Sequence, residues 1–208
     1  MKIASMLRPT LILASCATLA VLNGCTIVDQ KIGLNYARQN DSLVRHSGDI
    51  TVTRAASQPV AKNSNGEWII GSLNNVYGVH QADLLSDHSP EEWITDALLY
   101  ELRQAGYTVS YAESLPTVVA RGIIITNITA FLTVNKGTVS TETKQELKFN
   151  LEIFLNGDKV KTLTVASRDN RTVPLDASKE EKERIMLQSL QNAMQRIIPE
   201  AMLLIDKK

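Results

Sequence analysis

The chain has 208 residues, with 22 Lys and Arg against 22 Asp and Glu, and 44% of its residues are hydrophobic. This composition is that of an ordinary globular protein, which excludes a disordered, collagen-like or disulfide-rich chain. A formal net charge of zero offers no basic surface to a phosphate backbone, so we predict that the protein does not bind nucleic acid.

The first 24 residues have the layout of an export signal. Lys2 and Arg8 come early, an apolar run covers residues 10–22, and no acidic residue occurs in this segment. A helix of that run falls short of the roughly 30 Å hydrocarbon core of a bilayer. We therefore predict a cleaved signal peptide over residues 1–24 and a mature chain that is not a transmembrane protein.

The residues that end this segment are Leu22, Asn23, Gly24 and Cys25. They resemble the lipobox of bacterial lipoproteins, in which the signal is cut before a cysteine that then carries acyl chains. The resemblance implies that Cys25 is lipidated; the alternative is an ordinary secretory signal that happens to end in cysteine. The cysteine count favours lipidation, because Cys16 is removed with the signal and Cys25 then has no disulfide partner.

Acylation of Cys25 would hold the protein at a membrane. Each buried CH₂ contributes about 0.8 kcal/mol, so several acyl chains anchor a protein permanently whereas one chain binds reversibly. The lipoprotein resemblance also implies that the residue after the cysteine directs sorting, with Asp commonly retaining the protein at the inner membrane. Thr26 at this position predicts the periplasmic face of the outer membrane.

The mature chain is expected to have two parts. We predict that residues 25–48 form the lipid anchor, a short strand and a tether, and that residues 49–208 form a single periplasmic domain. Apolar residues alternate over residues 31–37 and over Asp49–Arg54, which predicts two strands. A third strand begins at residues 68–70 and leads into a loop that extends to residue 80.

A helix follows, with clear signals at both ends. Ser89 and Glu92 predict a capping box, Pro90 occupies the first helical position, and Gly106 ends the helix. Residues 107–111 then return to an extended strand, so the succession of strand, helix and strand predicts one crossover unit.

The second half of the chain predicts an antiparallel meander. β-branched residues over 118–134 indicate a central strand covered on both faces. Apolar and polar residues then alternate over residues 144–155, which places one face on the core. Asn156 and Gly157 supply the two positive φ angles of a type I′ turn, after which residues 160–168 return antiparallel.

A second amphipathic helix closes the chain. Ser178 and Glu181 predict another capping box, and Pro199 is expected to kink or stop the helix. The fold class predicted from these elements is α+β: a two-layer sandwich in which two main helices pack on one face of a mixed, largely antiparallel sheet.

Four segments together resemble the YajG family of bacterial lipoproteins. They are WIIGSLNNVYG at residues 68–78, ADLL at 82–85, EWITDAL at 92–98 and ELRQAGY at 101–107. The resemblance implies an outer-membrane lipoprotein that faces the periplasm, with a compact α/β fold. It also implies no established enzymatic role, so there are no catalytic residues to transfer to this chain.

One loop carries more polar and aromatic side chains than a simple connection needs. Its candidate binding residues are Asn74, Asn75, Tyr77 and His80, in a stretch flanked by glycines. Amides and an aromatic ring on a loop are suited to recognition. The alternative is a glycine-hinged turn in which Tyr77 packs back on the sheet.

Motifs for metal, cofactor or catalytic chemistry are missing from the sequence. His46, His80 and His88 are scattered over polar segments without the spacing of metal ligands. The sequence contains no G-x-S-x-G, G-x-x-x-x-G-K or G-x-G-x-x-G. We therefore predict no metal, no cofactor and no enzymatic activity.

The sequence is compatible with three functions. The first is a non-catalytic binding or assembly module of the cell envelope that holds a protein partner through a sheet edge or the candidate loop. The alternative is a carrier of a small apolar or lipid ligand, which requires a pocket of roughly 300 Å³ between the helices and the sheet. A cell-wall enzyme is the third, and no residue pattern favours it.

Overall fold

The computed structural model describes residues 28–39, 46–55, 60–174 and 176–206. They form a layer of eight strands and a layer of two helices, which confirms the predicted fold class. In chain order the elements are β1 (Gln30–Lys31), β2 (Asp49–Arg54), β3 (Trp68–Asn74), β4 (His80–Ser86), α1 (Pro90–Gln104), β5 (Thr108–Tyr111), β6 (Arg121–Lys136), β7 (Ser140–Leu155), β8 (Asp158–Pro174) and α2 (Lys179–Ile205).

A long antiparallel meander of β6, β7 and β8 forms one half of the sheet. The sixteen residues of β7 span about 50 Å at the usual rise of a strand. Asn156 and Gly157 connect β7 to β8 with φ angles of +52° and +88°, as predicted for the turn. The alternation predicted for β7 is also confirmed, because Leu147, Phe149 and Leu151 are fully buried.

The other edge of β6 is shared by two short strands. β2 pairs with residues 122–125 of β6, and β3 pairs with residues 132–135, both in parallel. The register of β6 shifts between these two regions, where Asn127 adopts a φ of +54°. A bulge of this kind bends a strand and increases its twist. The sheet therefore branches at β6: β5 lies beyond β2, and β4 and β1 lie beyond β3.

Three sequence predictions about the strands are wrong. The strand expected over residues 31–37 is limited to β1, and β3 continues to Asn74, so the loop is shorter than expected. Gly71 lies inside β3. A glycine is needed there because a Cβ would stand 2.2 Å from the carbonyl oxygen of Leu132. The crossover unit is also wrong, since α1 joins β4 to β5, and these strands run in opposite directions without pairing.

The first helix begins as predicted. The Ser89 side chain accepts from the Glu92 backbone N–H at 3.0 Å, and the Glu92 carboxylate accepts from the Ser89 N–H at 3.1 Å. After the helix, Gly106 has a φ of +103°, a conformation that favours glycine. The buried face of α1 includes Trp93, Ile94, Leu98 and Leu102, and it covers the sheet.

The second helix departs from its prediction at the capping box, and it continues past Pro199 as the prediction of a kink allows. Ser178 accepts from the Glu181 N–H at 3.2 Å, but the Glu181 carboxylate binds Arg184 at 2.6 Å instead of completing the capping box. Pro199 lies inside the helix, which continues to Ile205. The proline removes one backbone donor, and burial of Ala201 and Ile205 on the core stabilises the turns beyond it.

Residues 32–39, which we call the N-terminal segment, lie against both helices. The N–H of Gly33 donates to Glu183 at 2.7 Å, and Gln191 donates to the carbonyl of Ala37 at 2.6 Å. The six residue-to-residue steps from Gly33 to Gln39 cover about 20 Å when extended, which matches about 18 Å of α2 from Glu183 to Gln195. The predicted division of the chain at residue 48 stays a prediction.

Candidate functional site

The predicted recognition loop is the tight connection between β3 and β4, residues 75–79. The N–H of Asn75 donates to the carbonyl of Val79 at 2.9 Å, and the carbonyl of Asn75 accepts from Gly78 at 2.9 Å. The side-chain oxygen of Asn75 also accepts from the N–H groups of Tyr77 at 2.9 Å and Val79 at 3.0 Å. Asn75 therefore holds the loop in one shape, so its amide serves the fold.

The other candidate residues point to different places. The amide of Asn74 donates to Asn135 on β6 at 2.9 Å and is half-buried. His80 Nε2 lies 3.4 Å from a carboxylate oxygen of Asp83. Tyr77 is 86% exposed, so the alternative in which it packs back on the sheet is wrong. None of the four side chains lines either of the two cavities described below, and the loop presents an aromatic ring to its surroundings.

Two valines extend this exposed surface. Val76 and Val79 are each more than half exposed, on either side of Tyr77 and Gly78. Sequence reasoning gave weight to the amides of this loop and omitted both valines. The signal that could have found them is the lack of polar alternation over residues 76–79 at the tip of a hairpin.

A cluster that sequence reasoning missed lies between the N-terminal segment and the helices. The Tyr36 hydroxyl donates to the Glu101 carboxylate at 2.5 Å, and Arg38 Nε lies 3.3 Å from the other carboxylate oxygen. Burial, with a further contribution from the hydrogen bond to Glu101, raises the pKa of Tyr36 above its ordinary range. The cluster pairs groups 65 residues apart, so no local pattern could indicate it.

Two cavities adjoin this cluster. One of about 190 Å³ lies between the N-terminal segment and both helices, and its lining includes Arg38, Glu101 and Met194. The other, of about 240 Å³, lies between the segment and α1 beside Trp93 and Tyr100. Neither reaches the roughly 300 Å³ of a typical small-molecule site. Neither lies between the helices and the sheet, where the carrier alternative places its ligand.

A second unpredicted cluster joins the C-terminal ends of both helices. Asp206 binds His46 Nδ1 at 2.6 Å and the hydroxyl of Tyr107 at 2.8 Å, and the His46 and Tyr107 rings stack 5.4 Å apart. Burial and the bond to Asp206 raise the pKa of Tyr107. His46 also bonds through its backbone to Ala105 at 2.8 Å, so the cluster fastens the chain leading to β2.

The lipidation site, Cys25, lies outside the described residues. Within the described ranges, no three His, Cys, Asp or Glu side chains converge as metal ligands. In this part of the chain, no helix has both the length and the apolar character needed to cross a membrane.

No protein-family model and no curated protein sequence matches the chain. Its fold is similar to several solved structures. One is a DUF330-family protein from Xanthomonas campestris, 11% identical, covering 81% of this chain and 92% of that one, with a TM-score of 0.48. Another is a putative neuraminyllactose-binding hemagglutinin homolog from Helicobacter pylori, 11% identical, covering 83% and 97%, with a TM-score of 0.44.

A third is the rare lipoprotein B from Shewanella oneidensis, 12% identical, covering 64% of this chain and 97% of that one, with a TM-score of 0.35. At such identities and scores these matches carry no argument about function. The YajG family stays a prediction.

Proposed function

We propose that the chain is a lipid-anchored, non-catalytic binding or assembly protein of the YajG family, held by Cys25 at the periplasmic face of the outer membrane. The observation that carries the binding role is the loop at residues 75–79. Its backbone is locked by Asn75, and Tyr77 is 86% exposed. A rigid loop that presents an aromatic ring can bind another surface with little loss of conformational entropy.

The anchor is supported by the sequence around Cys25 and by the exposed position of the residues just before β1. The export signal and the lipobox resemblance both end at this residue, and Thr26 favours the outer membrane. Val28, three residues later, is exposed, and β1 joins the sheet from Gln30 onward. An acylated Cys25 would therefore fasten the folded domain to the membrane through a very short connection.

The anchor is tested by mass spectrometry of the mature protein from bacterial cells, with membrane fractionation. The expected N-terminal peptide begins at Cys25 and carries the mass of its acyl chains, and the protein sediments with the outer membrane. Cys25→Ser should stay unprocessed or leave that fraction, and Thr26→Asp should move the protein to the inner membrane. An unmodified N-terminus in the wild type would overturn the anchor.

The binding role is tested with a photoreactive aromatic amino acid placed at residue 77 in living cells. Val118 provides the matched control, because it is 89% exposed and lies beside the turn at the far end of β7. We expect cross-links to an envelope component, lipid or protein, from residue 77 and none from residue 118. Equal cross-linking at the two positions would contradict a binding role for the loop.

A further inference from the structure

Two loops at one end of the sheet expose apolar side chains together. β3 and β6 are parallel neighbours with Asn74 opposite Asn135, so residues 75–79 and 137–139, which follow these strands, leave the sheet at the same end. The exposed apolar side chains of this end are Val76, Tyr77, Val79 and Val139. With Val28, described next, we call them the apolar end.

The N-terminus of the folded domain emerges beside these loops. β1 runs parallel to β4 with Gln30 beside Leu84, and the Asp29 carboxylate accepts from the N–H of Asp83 at 2.9 Å. Val28 and Asp29, which precede β1, therefore run toward the start of β4, at His80, where the loop ends. Lys182 fixes this position by donating to Gln30 at 2.8 Å. Val28, at the exit, is mostly exposed.

The connection from this exit to the anchor is short. Cys25 precedes Val28 by three residues. Three residues span about 10 Å when fully extended. If Cys25 carries acyl chains, its Cα lies at the membrane surface, and Val28 lies within about 10 Å of that surface. The opposite end of the sheet is about 50 Å away along β7.

We propose that the apolar end rests on the lipid bilayer to which Cys25 is anchored, with Tyr77 and its neighbouring valines in the headgroup region. The proposal rests on the proposed lipid anchor and names the surface that the loop contacts. Tyr is favoured at membrane interfaces because its ring is apolar and its hydroxyl is wet. The valines add apolar surface area, and contact with the bilayer removes this area from water.

The charges nearest the apolar end do not prevent this contact. Lys136 pairs with Asp176 at 2.7 Å, and His80 lies 3.4 Å from Asp83. The first turn of α2 carries Glu180 and Glu181 and begins at the same end, because Pro174 at the end of β8 pairs with Ser140. Glu181 pairs with Arg184 at 2.6 Å, and Lys179 of the same turn lies 3.8 Å from Glu183, so charges of both signs are matched there and no strong field opposes a zwitterionic surface. The contact is therefore driven by apolar burial beside a covalent anchor.

The test uses the mature, acylated protein in phosphatidylcholine vesicles. Cys16 is removed with the signal, and the sulfur of Cys25 is acylated. An introduced cysteine is therefore the single free thiol in the sequence of the mature chain. Three variants carry an environment-sensitive fluorophore: Tyr77→Cys and Val139→Cys in the two loops, and Val118→Cys at the far end as control. All three native side chains are exposed, so the labels do not disturb the core.

We expect the labels at residues 77 and 139 to shift to the blue and to lose more than half of their fluorescence to a quencher on the lipid headgroups. The label at residue 118 should show neither change. Equal signals at all three positions, with Cys25 shown to be acylated by mass, would overturn the membrane contact and leave the anchor standing. An unquenched label at residue 77 together with a discrete cross-linked protein would assign the loop to a protein partner and overturn the proposal. An unmodified Cys25 would remove the proposed function and this contact together.

Discussion

The carboxylate of Glu101 is expected to hold the N-terminal segment on the helices. Its side chain is 9% exposed and pairs with Arg38, which is 15% exposed, at 3.3 Å. It also accepts from the Tyr36 hydroxyl at 2.5 Å. Glu101→Gln keeps the size of the side chain and removes its charge, so the Arg38 guanidinium stays largely buried without a counter-charge.

The structure sets the size of this effect. Breaking a fully buried ion pair costs about 3–5 kcal/mol, and a hydrogen bond to a charged group contributes about 1.5–3 kcal/mol. The cluster adjoins an open cavity, and the amide still accepts from Tyr36, so the free energy of unfolding should fall by about 2–3 kcal/mol. The matched control is Glu146→Gln. Glu146 pairs with Arg168 at 3.1 Å, but the two side chains are 46% and 81% exposed, so we expect a loss below about 1 kcal/mol.

The assay is urea unfolding of the mature chain carrying Cys25→Ser, followed by circular dichroism. Glu101→Gln should lower the midpoint clearly, and adding Arg38→Met should recover part of the loss because the unpaired charge is gone. A Glu101→Gln midpoint equal to that of Glu146→Gln would refute the reasoning, since the pair would then behave as a solvent-screened surface contact.

Three further predictions concern stability. The pKa values of Tyr36 and Tyr107 are raised in the folded chain. Above about pH 10 the unfolded chain therefore ionises these tyrosines while the folded chain does not. The free energy of unfolding should consequently fall as the pH rises through that range. Replacing both tyrosines by Phe should flatten this fall in urea titrations, and an unchanged slope would contradict the assignment. Gly71→Ala places a Cβ 2.2 Å from the carbonyl oxygen of Leu132 and should lower the free energy of unfolding by about 1–3 kcal/mol. An unchanged midpoint in thermal or urea unfolding would contradict the close approach of β3 to β6. Phe149→Ala removes a fully buried ring from the middle of β7 and should cost about 3–5 kcal/mol, whereas a loss below about 1 kcal/mol would indicate that this face is not core.

The sequence locates the candidate loop, but the partners of its amide side chains are visible only in the structure. The amide of Asn75 closes the loop on itself, and that of Asn74 binds Asn135 on a strand 61 residues away. Whether Tyr77 is exposed or packed depends on the path of the hairpin past its neighbours. Only the three-dimensional arrangement of β3 and β4 fixes that path.

The sequence by itself determined the elements whose signals are local. The capping box at Ser89, the turn at Asn156 and the alternation along β7 each depend on residues a few positions apart, and each is confirmed. Local signals are sufficient there because a cap, a two-residue turn and a pleated face satisfy their own hydrogen bonds or bury their own side chains.

The tertiary structure alone decided how these elements join. It placed β2 and β3 along one edge of β6, laid the N-terminal segment against both helices, and brought Tyr36 to Glu101. It also set the exit of the chain at Val28 beside the loop that carries Tyr77. Sequence patterns do not fix these arrangements, because strand pairing and burial between distant segments depend on which surfaces are available at the same sheet edge or groove. Those surfaces are brought together only in the folded chain.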